Sequence, residues 1–241
     1  MSESVTPYKS DSSKKEQVKS MFNNIAGRYD FLNRVLSLRI DVLWRNKAIK
    51  KLKQYHPNNI LDVACGTGDF TIAALKTGAK KVTGVDISVQ MLEVGIKKIN
   101  NINLNDKIVL LEGDSEHLLF ETNTFDACTV AFGVRNFENL QLGLNEIYRV
   151  LQPGAPIVIL EFSRPSAFPF KQLYNFYFST ILPAIGRLVS GDSRAYTYLF
   201  ESVKVFPEGE KFIHFLKTAG FKNCTCKRLS LGICSLYIAE K

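Results

Sequence analysis

Apolar positions along the chain change their period several times, and each change marks an element. From Lys14, the residues Val18, Met21, Phe22 and Ile25 recur at three- and four-residue spacing, which predicts an amphipathic helix. A second helical stretch is predicted over about Tyr29 to Leu36, and a third, basic on its outer face, over Val42 to Gln54. The middle of the chain then alternates. Short apolar runs at NNILDVA (58–64), KKVTGVDIS (80–88), KIVLLEGD (107–114), TFDACTVAFG (124–133) and APIVILEF (155–162) predict five strands. Helical patterns lie between them: GTGDFTIAALKTG, VQMLEVGIKKI, and NLQLGLNEIYRVLQPG, which Pro153 and Gly154 stop. Strand alternating with helix predicts an α/β fold with a doubly wound, mostly parallel sheet and right-handed crossovers. After a helix near Pro207 to Ala219, FKNCTCKRLSLGICSLYIAE reads as two strands about a short turn, which must run antiparallel.

The chain reads as a single domain over 1–241. Residues 1–13 are polar and expected to be disordered, 14–55 form the N-terminal helices, and 56–163 form the sheet and its helices. Beyond Ser163 the alternation stops. Residues 166–206 hold ten of the 27 aromatic residues, so 164–206 is expected to be a helical insertion, with 207–241 closing the fold. The net charge is +8, but the basic residues are spread along the chain without a Lys/Arg-rich tail, which argues against nucleic acid as a partner. Five cysteines without paired spacing predict free thiols in a reducing compartment, and the three scattered histidines offer no metal site. The first residues lack the apolar core of a signal peptide, and no stretch reaches the ~18 apolar residues of a membrane span. The expected location is cytoplasmic, with peripheral contact at the inner face of a membrane left open.

Ligands of open α/β sheets sit at the carboxyl ends of the strands. The first strand ends in DVACGTGDF, where Gly66 and Gly68 flank Thr67 and allow a tight turn with close backbone approach. Asp86 closes the second strand 20 residues after Gly66, where a carboxylate can accept from both hydroxyls of a ribose. Asp114 and Ser115 close the third strand, within reach of an adenine edge. A dinucleotide site calls for a third small residue around a pyrophosphate, and Phe70 stands there instead, beside an Asp69 that would repel phosphate. A nucleoside carrying a cation and no phosphate suits this turn better than NAD. S-adenosylmethionine has that chemistry.

With those residues in place, LDVACGTGDFT, VTGVDIS, FDACTVAFGVRN, IYRVLQPGAPIVILEFSRP and FKQLYNFYFSTILPAIGRLVSGDSRAYTYLFESV together resemble the quinone C-methyltransferases of the UbiE/MenG type, from about Lys15 to the C-terminus. The resemblance implies a class I methyltransferase (Rossmann-like) fold, S-adenosylmethionine as cofactor, and a polyprenyl quinol acceptor: demethylmenaquinol first, a benzoquinol of ubiquinone biosynthesis or another small apolar acceptor as alternatives. It leaves the oligomeric state open, a homodimer included, and makes transient contact with a membrane surface compatible with the substrate. Three positions depart from the family's pattern. Arg39 and Ala155 stand where glycine is usual, and Ala131 where some members carry serine near the cofactor.

VAFGVRNF (130–137) is expected to be the buried end of the fourth strand, released from the sheet by Gly133. A quinol carbon becomes a nucleophile when the neighbouring hydroxyl, with a pKa of about 10 like that of Tyr, ionises. A fixed cation in a dry pocket stabilises that phenolate. Arg135, too basic to act as a general base, is assigned this role, and Asn136 is expected to hold the second oxygen. The family suggests Tyr29 as a third catalytic residue, with Asp30 a weaker candidate base. Phe176, Tyr177, Phe178, Ile181, Leu182, Ile185, Leu188 and Val189 are expected to line a trough for the prenyl tail.

Overall fold

In the computed structural model, residues 5–8, 10–181 and 193–241 are described. The five predicted strands are β1 (Asn59–Val63), β2 (Lys81–Asp86), β3 (Ile108–Glu112), β4 (Ala127–Ala131) and β5 (Pro156–Phe162). The last two are β6 (Lys222–Leu229) and β7 (Cys234–Glu240). They form one sheet in the order β3-β2-β1-β4-β5-β7-β6. The first five run parallel, and β7 is antiparallel to both its neighbours. Strand order reverses between β1 and β4, so the ligand crevice of this fold lies over their carboxyl ends.

Successive strand residues face opposite layers. Ile60, Val158, Leu160 and Leu236 point to the side covered by α2 (Ile40–Leu52), α3 (Asp69–Ala74) and α4 (Val89–Asn101), through Trp44, Leu52, Phe70 and Ile99. Leu61, Val63, Val130, Ile157 and Tyr237 point to the side covered by α5 (Leu140–Val150) and by the helix over Glu210–Thr218, through Leu144, Ile147, Phe212 and Leu216. Burial on both faces explains why β4 and β5 read as continuous apolar runs. Each such side chain contributes roughly 1.5–3 kcal/mol. Ser88 and Asn139 cap α4 and α5 by accepting from the N–H groups of Met91 and Leu142.

Three expectations need correction. The two N-terminal helical stretches are one helix, α1 (Lys14–Leu36), which runs through Gly27. Residues expected to be disordered up to 13 are in their described part laid along α1: the Tyr8 N–H donates to Gln17 Oε1 at 2.9 Å, and Val5 and Tyr8 pack on its cluster. Residues 1–4 and 9 lie outside the described residues. Gly133 is also not what frees the chain after β4. Its φ is −106°, whereas Phe132 before it has φ +59°. Glycine is required at 133 for space, because a Cβ there would meet that of Ala64 at 2.5 Å.

The insertion holds α6 (Phe170–Phe176), continued by a helical turn to Ile181, and α7 (Ser193–Val205); α8 (Glu210–Thr218) follows. Residues 182–192 lie outside the described residues. Among the described residues no helix is long and apolar enough to cross a membrane, all five cysteines are free thiols, and no cluster could hold a metal ion.

Candidate active site

The turn after β1 brings the chain back over the sheet through three left-handed residues, Ala64 (φ +54°), Gly66 (φ +55°) and Gly68 (φ +78°). This exposes the Gly66 N–H to Asp86, whose Oδ2 accepts it at 2.7 Å while Oδ1 accepts the Ser88 N–H at 2.8 Å. Burial lifts the pKa of Asp86, and these N–H donors hold against it. Each carboxylate oxygen keeps a lone pair for a further donor.

Gly66, Asp86, Asp114 and Ser115 line one crevice over the ends of β1, β2 and β3, with Ile87 and Met91 on its wall. Helix α1 closes it with Lys15, Val18, Phe22 and Tyr29. Asp114 is not free toward the crevice: Lys15 pairs with its Oδ2 at 2.6 Å. Burial alone would raise the Asp114 pKa, but the hydrogen bond from Lys15 leaves it lowered.

Thr67 and Gly68 stand apart. Thr67 lines a polar cleft beside the crevice, and its buried hydroxyl donates to Asp30 Oδ1 at 2.6 Å. Gly68 shapes the turn and ends as the residue before α3. The argument from an uncompensated Asp69 also fails. Lys98 Nζ lies 2.6 Å from Asp69 and 2.7 Å from Asp30, so Asp69 is already paired within the protein. What remains against a dinucleotide is Phe70, buried in the core where a third small residue would stand.

The second cavity is apolar, encloses about 350 Å³, and lies between α1, α2, α6 and α7. Trp44, Phe132, Phe162, Leu173, Tyr174 and Leu199 line it, together with Tyr177. Of the tail-lining residues expected from sequence, Tyr177 is there and Phe176 is exposed instead. Leu182, Ile185, Leu188 and Val189 lie outside the described residues, as do the side chains of Phe178 and Ile181.

Arg135 reaches this apolar cavity, and Asn136 faces the crevice, so the two do not converge on one acceptor as expected. Arg135 is nearly buried. Its Nη1 donates to Glu161 Oε1 at 2.8 Å and to the Phe132 carbonyl, and its guanidinium lies 5.4 Å over the Phe162 ring. Glu161 is fully buried in β5 and also accepts the N–H groups of Phe162 (2.8 Å) and Arg135 (3.3 Å). Arg135 Nε is buried and has no hydrogen-bond partner among the described residues. Asn136 donates to the Phe132 carbonyl at 3.4 Å and accepts from the Tyr198 hydroxyl at 3.2 Å.

Tyr29 and Phe132 line the crevice, the polar cleft and the apolar cavity alike. Burial raises the Tyr29 pKa against the pull of Asn33, Arg135 and Arg45, so its hydroxyl is a proton donor near neutrality rather than a base. Sequence reasoning missed Glu161, Phe132 and Arg45. Glu161 had a signal, a carboxylate inside an otherwise apolar strand. Arg45, on α2, lines both the cleft and the apolar cavity and has no comparable signal. Ala131, one of the three departures from the family's pattern, lines the crevice.

A sequence model described as the ubiE/COQ5 methyltransferase family matches residues 10–241. The chain is 46% identical over 241 residues to a Porphyromonas gingivalis protein named demethylmenaquinone methyltransferase, covering 99% of this chain and 98% of that one. It is 47% identical over 231 residues to a Geotalea daltonii protein named ubiquinone/menaquinone biosynthesis C-methyltransferase UbiE, covering 95% and 97%. Its fold is similar to that of a SAM-dependent methyltransferase from Thermotoga maritima, with a TM-score of 0.63 at 18% identity over 92% of this chain and 99% of that one. It is also similar to phosphoethanolamine N-methyltransferase 2 of Haemonchus contortus, solved with S-adenosyl-L-methionine, with a TM-score of 0.59 at 16% identity over 88% and 59%. At such identities the structural likeness speaks for the fold, which is that of the class I methyltransferases.

Proposed function

The chain belongs to the ubiE/COQ5 methyltransferase family, and on that premise we propose that it methylates a ring carbon of demethylmenaquinol, with Arg135 stabilising the ionised ring oxygen. The protein is an S-adenosylmethionine-dependent C-methyltransferase of menaquinone/ubiquinone biosynthesis. The finer choice of a naphthoquinol over a benzoquinol draws on relatives named demethylmenaquinone methyltransferase at 46% and 47% identity over the full length.

The observation that carries the reading is the meeting of two chemically different cavities at Tyr29 and Phe132. One presents a carboxylate with spare lone pairs, suited to ribose hydroxyls. The other is aromatic, suited to a quinol ring and the start of its tail. The residues fit the cofactor: Asp86 and Gly66 would hold the ribose, Ser115 and the backbone near Asp114 the adenine, with Ile87 and Met91 against its faces. Bound there, S-adenosylmethionine supplies a methyl group already activated on a cationic sulfur.

The protein then has two tasks, orientation and activation of the carbon nucleophile. Arg135, held by Glu161 and stacked on Phe162, brings a fixed guanidinium charge to the wall of the apolar cavity, where a ring oxygen would lie. A fixed cationic donor in an apolar surrounding favours the phenolate. With the cofactor bound, the ring carbon would take the methyl group, the sulfur would leave as the neutral thioether of S-adenosylhomocysteine, and the ring proton would pass to water as aromaticity returns. Tyr29 offers a neutral hydroxyl between the cavities, and Asn136, fixed by Tyr198, borders the crevice.

The test is transfer of labelled methyl from S-adenosylmethionine to demethylmenaquinol and, separately, to a demethylated benzoquinol precursor. Transfer to the naphthoquinol at the higher kcat/KM is expected. Preference for the benzoquinol overturns the choice of ring, and transfer to neither overturns the reading.

A further inference from the structure

Around the insertion lie two features that the chemistry above leaves unused. The first is a rim of apolar side chains held in solvent. Leu38, Phe168, Phe170, Leu173, Phe176 and Leu231 are between 39% and 80% exposed. Four of these, Leu38, Phe170, Leu173 and Leu231, also line the apolar cavity, so they mark its mouth. The second is a groove on the other side of α6, lined by Arg164, Lys171, Lys204 and Arg228 with the hydroxyls of Ser166 and Ser179. Four cations share it with one carboxylate, Glu208, which Arg164 already pairs at 3.2 Å, a surplus of three positive charges.

Helix α6 separates the two. Along α6 and the helical turn after it, Phe170, Leu173 and Tyr177 line the cavity, Lys171, Asn175 and Ser179, at four-residue spacing, line the groove, and Tyr174 lines both. An amphipathic helix with aromatic residues on one face and lysine beside them is the composition of a helix lying in a membrane interface. The cavity, at about 350 Å³, is at the small end of ligand pockets, so a tail of several isoprene units must leave through the mouth. In water both the tail and the rim would stay wetted. A bilayer removes both from water at once.

We propose that this face docks on an anionic phospholipid bilayer, the rim entering the interface and the groove taking headgroup phosphates, so that the acceptor passes from lipid into the cavity. The proposal rests on the reading that the acceptor carries a polyprenyl tail. Anionic lipid, rather than any apolar surface, follows from the charge surplus beside the rim.

The test is cosedimentation of the full chain with vesicles of phosphatidylcholine alone or with phosphatidylglycerol. Binding to the anionic vesicles that weakens with salt is expected. Replacing Lys171→Gln and Lys204→Gln together should lower partitioning about 30-fold, at roughly 1 kcal/mol per basic residue. Phe168→Ser should lower it about tenfold. All three sites are exposed, and circular dichroism checks the fold. Each variant should methylate a tail-less quinol at the wild-type rate and lose rate only on long-tailed quinol in vesicles. Equal binding to neutral vesicles, or variants that partition like wild type, overturns the proposal. So does displacement by inorganic phosphate but not by chloride at matched ionic strength, which would mark a small-anion site. A dimer that Phe168→Ser dissociates while vesicle binding persists would assign the face to a second copy and overturn it as well. Failure of wild type to methylate even the tail-less quinol would instead count against the proposed reaction.

Discussion

Arg135 is the residue to which the proposed chemistry is assigned, and its environment says how it should fail. Its charge is matched by Glu161 in a setting where neither is solvated, so removing one partner leaves the other uncompensated. Arg135→Ala should lower kcat by about 10²-fold, as loss of one transition-state donor does, with the cofactor's affinity unchanged in calorimetry. A kcat near wild type would remove the residue from the chemistry. Glu161→Gln should destabilise by about 3 kcal/mol in urea unfolding and also lower kcat, because the guanidinium loses its anchor; stability equal to wild type would refute the pairing. Asp62 makes a different prediction. It is buried beneath the first turn, accepts from Thr71 and Thr129 at 2.6 and 2.7 Å, and burial lifts its pKa from 3.8 to about 6. The folded state therefore holds the proton more tightly than the unfolded one, so this group's contribution to stability falls as pH rises from about 4 to 6 and stays low above. The gap corresponds to roughly 3 kcal/mol at neutral pH. Asp62→Asn should raise Tm relative to wild type by an amount that grows over that window and then levels; a difference constant across pH would assign the effect to packing alone.

Elements were legible where one physical pattern repeats. The central strands β4 and β5 were readable because burial on both faces leaves nearly continuous apolar runs, and the turn after β1 because its left-handed backbone calls for glycines at 66 and 68. Element ends and joints were less so. Two helical stretches were read where one helix runs through Gly27; a helical glycine costs ~1 kcal/mol, yet Ile25, Ala26 and Tyr29 on either side pack against α4 and α7, and that tertiary contact carries the helix through. After β4 the glycine was assigned the wrong task, since local sequence cannot show that Ala64 lies against it. The joint between α1 and α2 illustrates the reverse. Arg39 stood out in the sequence for replacing a glycine usual in the family, and the structure shows the reason: its φ is +61°, in the left-handed region. An L side chain there costs about 1–2 kcal/mol, partly offset by the greater unfolded-state freedom of glycine. Arg39→Gly should therefore stabilise the protein, by up to about 1 kcal/mol in denaturant unfolding. A loss of stability would mean that the Arg39 side chain holds the joint through contacts that outweigh its backbone strain.

At the scale of the whole molecule, the proposed function divides the site, with the sheet supplying the cofactor half and the added helices the acceptor half. This division explains what could be read beforehand. The glycine turn and Asp86, 20 residues after Gly66, follow the spacing by which open α/β sheets hold a ribose, and Ser115 closes the next strand, so spacing alone pointed to them. The apolar cavity is assembled from α1, α2, α6, α7 and the ends of β4 and β5, residues that no local pattern brings together, and only the aromatic content of the insertion announced it. Helix α1 belongs to both halves. It gives Lys15, Val18, Phe22 and Tyr29 to the crevice and Met21, Phe22, Ile25 and Tyr29 to the cavity, and is pinned across the strand ends by Lys15 on Asp114 and Lys19 on Glu112. A ligand that orders this helix from one side prepares its wall on the other, which makes the two sites thermodynamically coupled. Calorimetric titration with a tail-less quinone should give an affinity at least about fivefold tighter when S-adenosylhomocysteine is already bound, and the reverse titration must show the same factor. Lys15→Ala, which frees the end of α1 nearest the crevice, should reduce that factor in both directions. Affinities that ignore the other ligand would mean that α1 is rigid before either arrives and that its two faces serve the two sites independently.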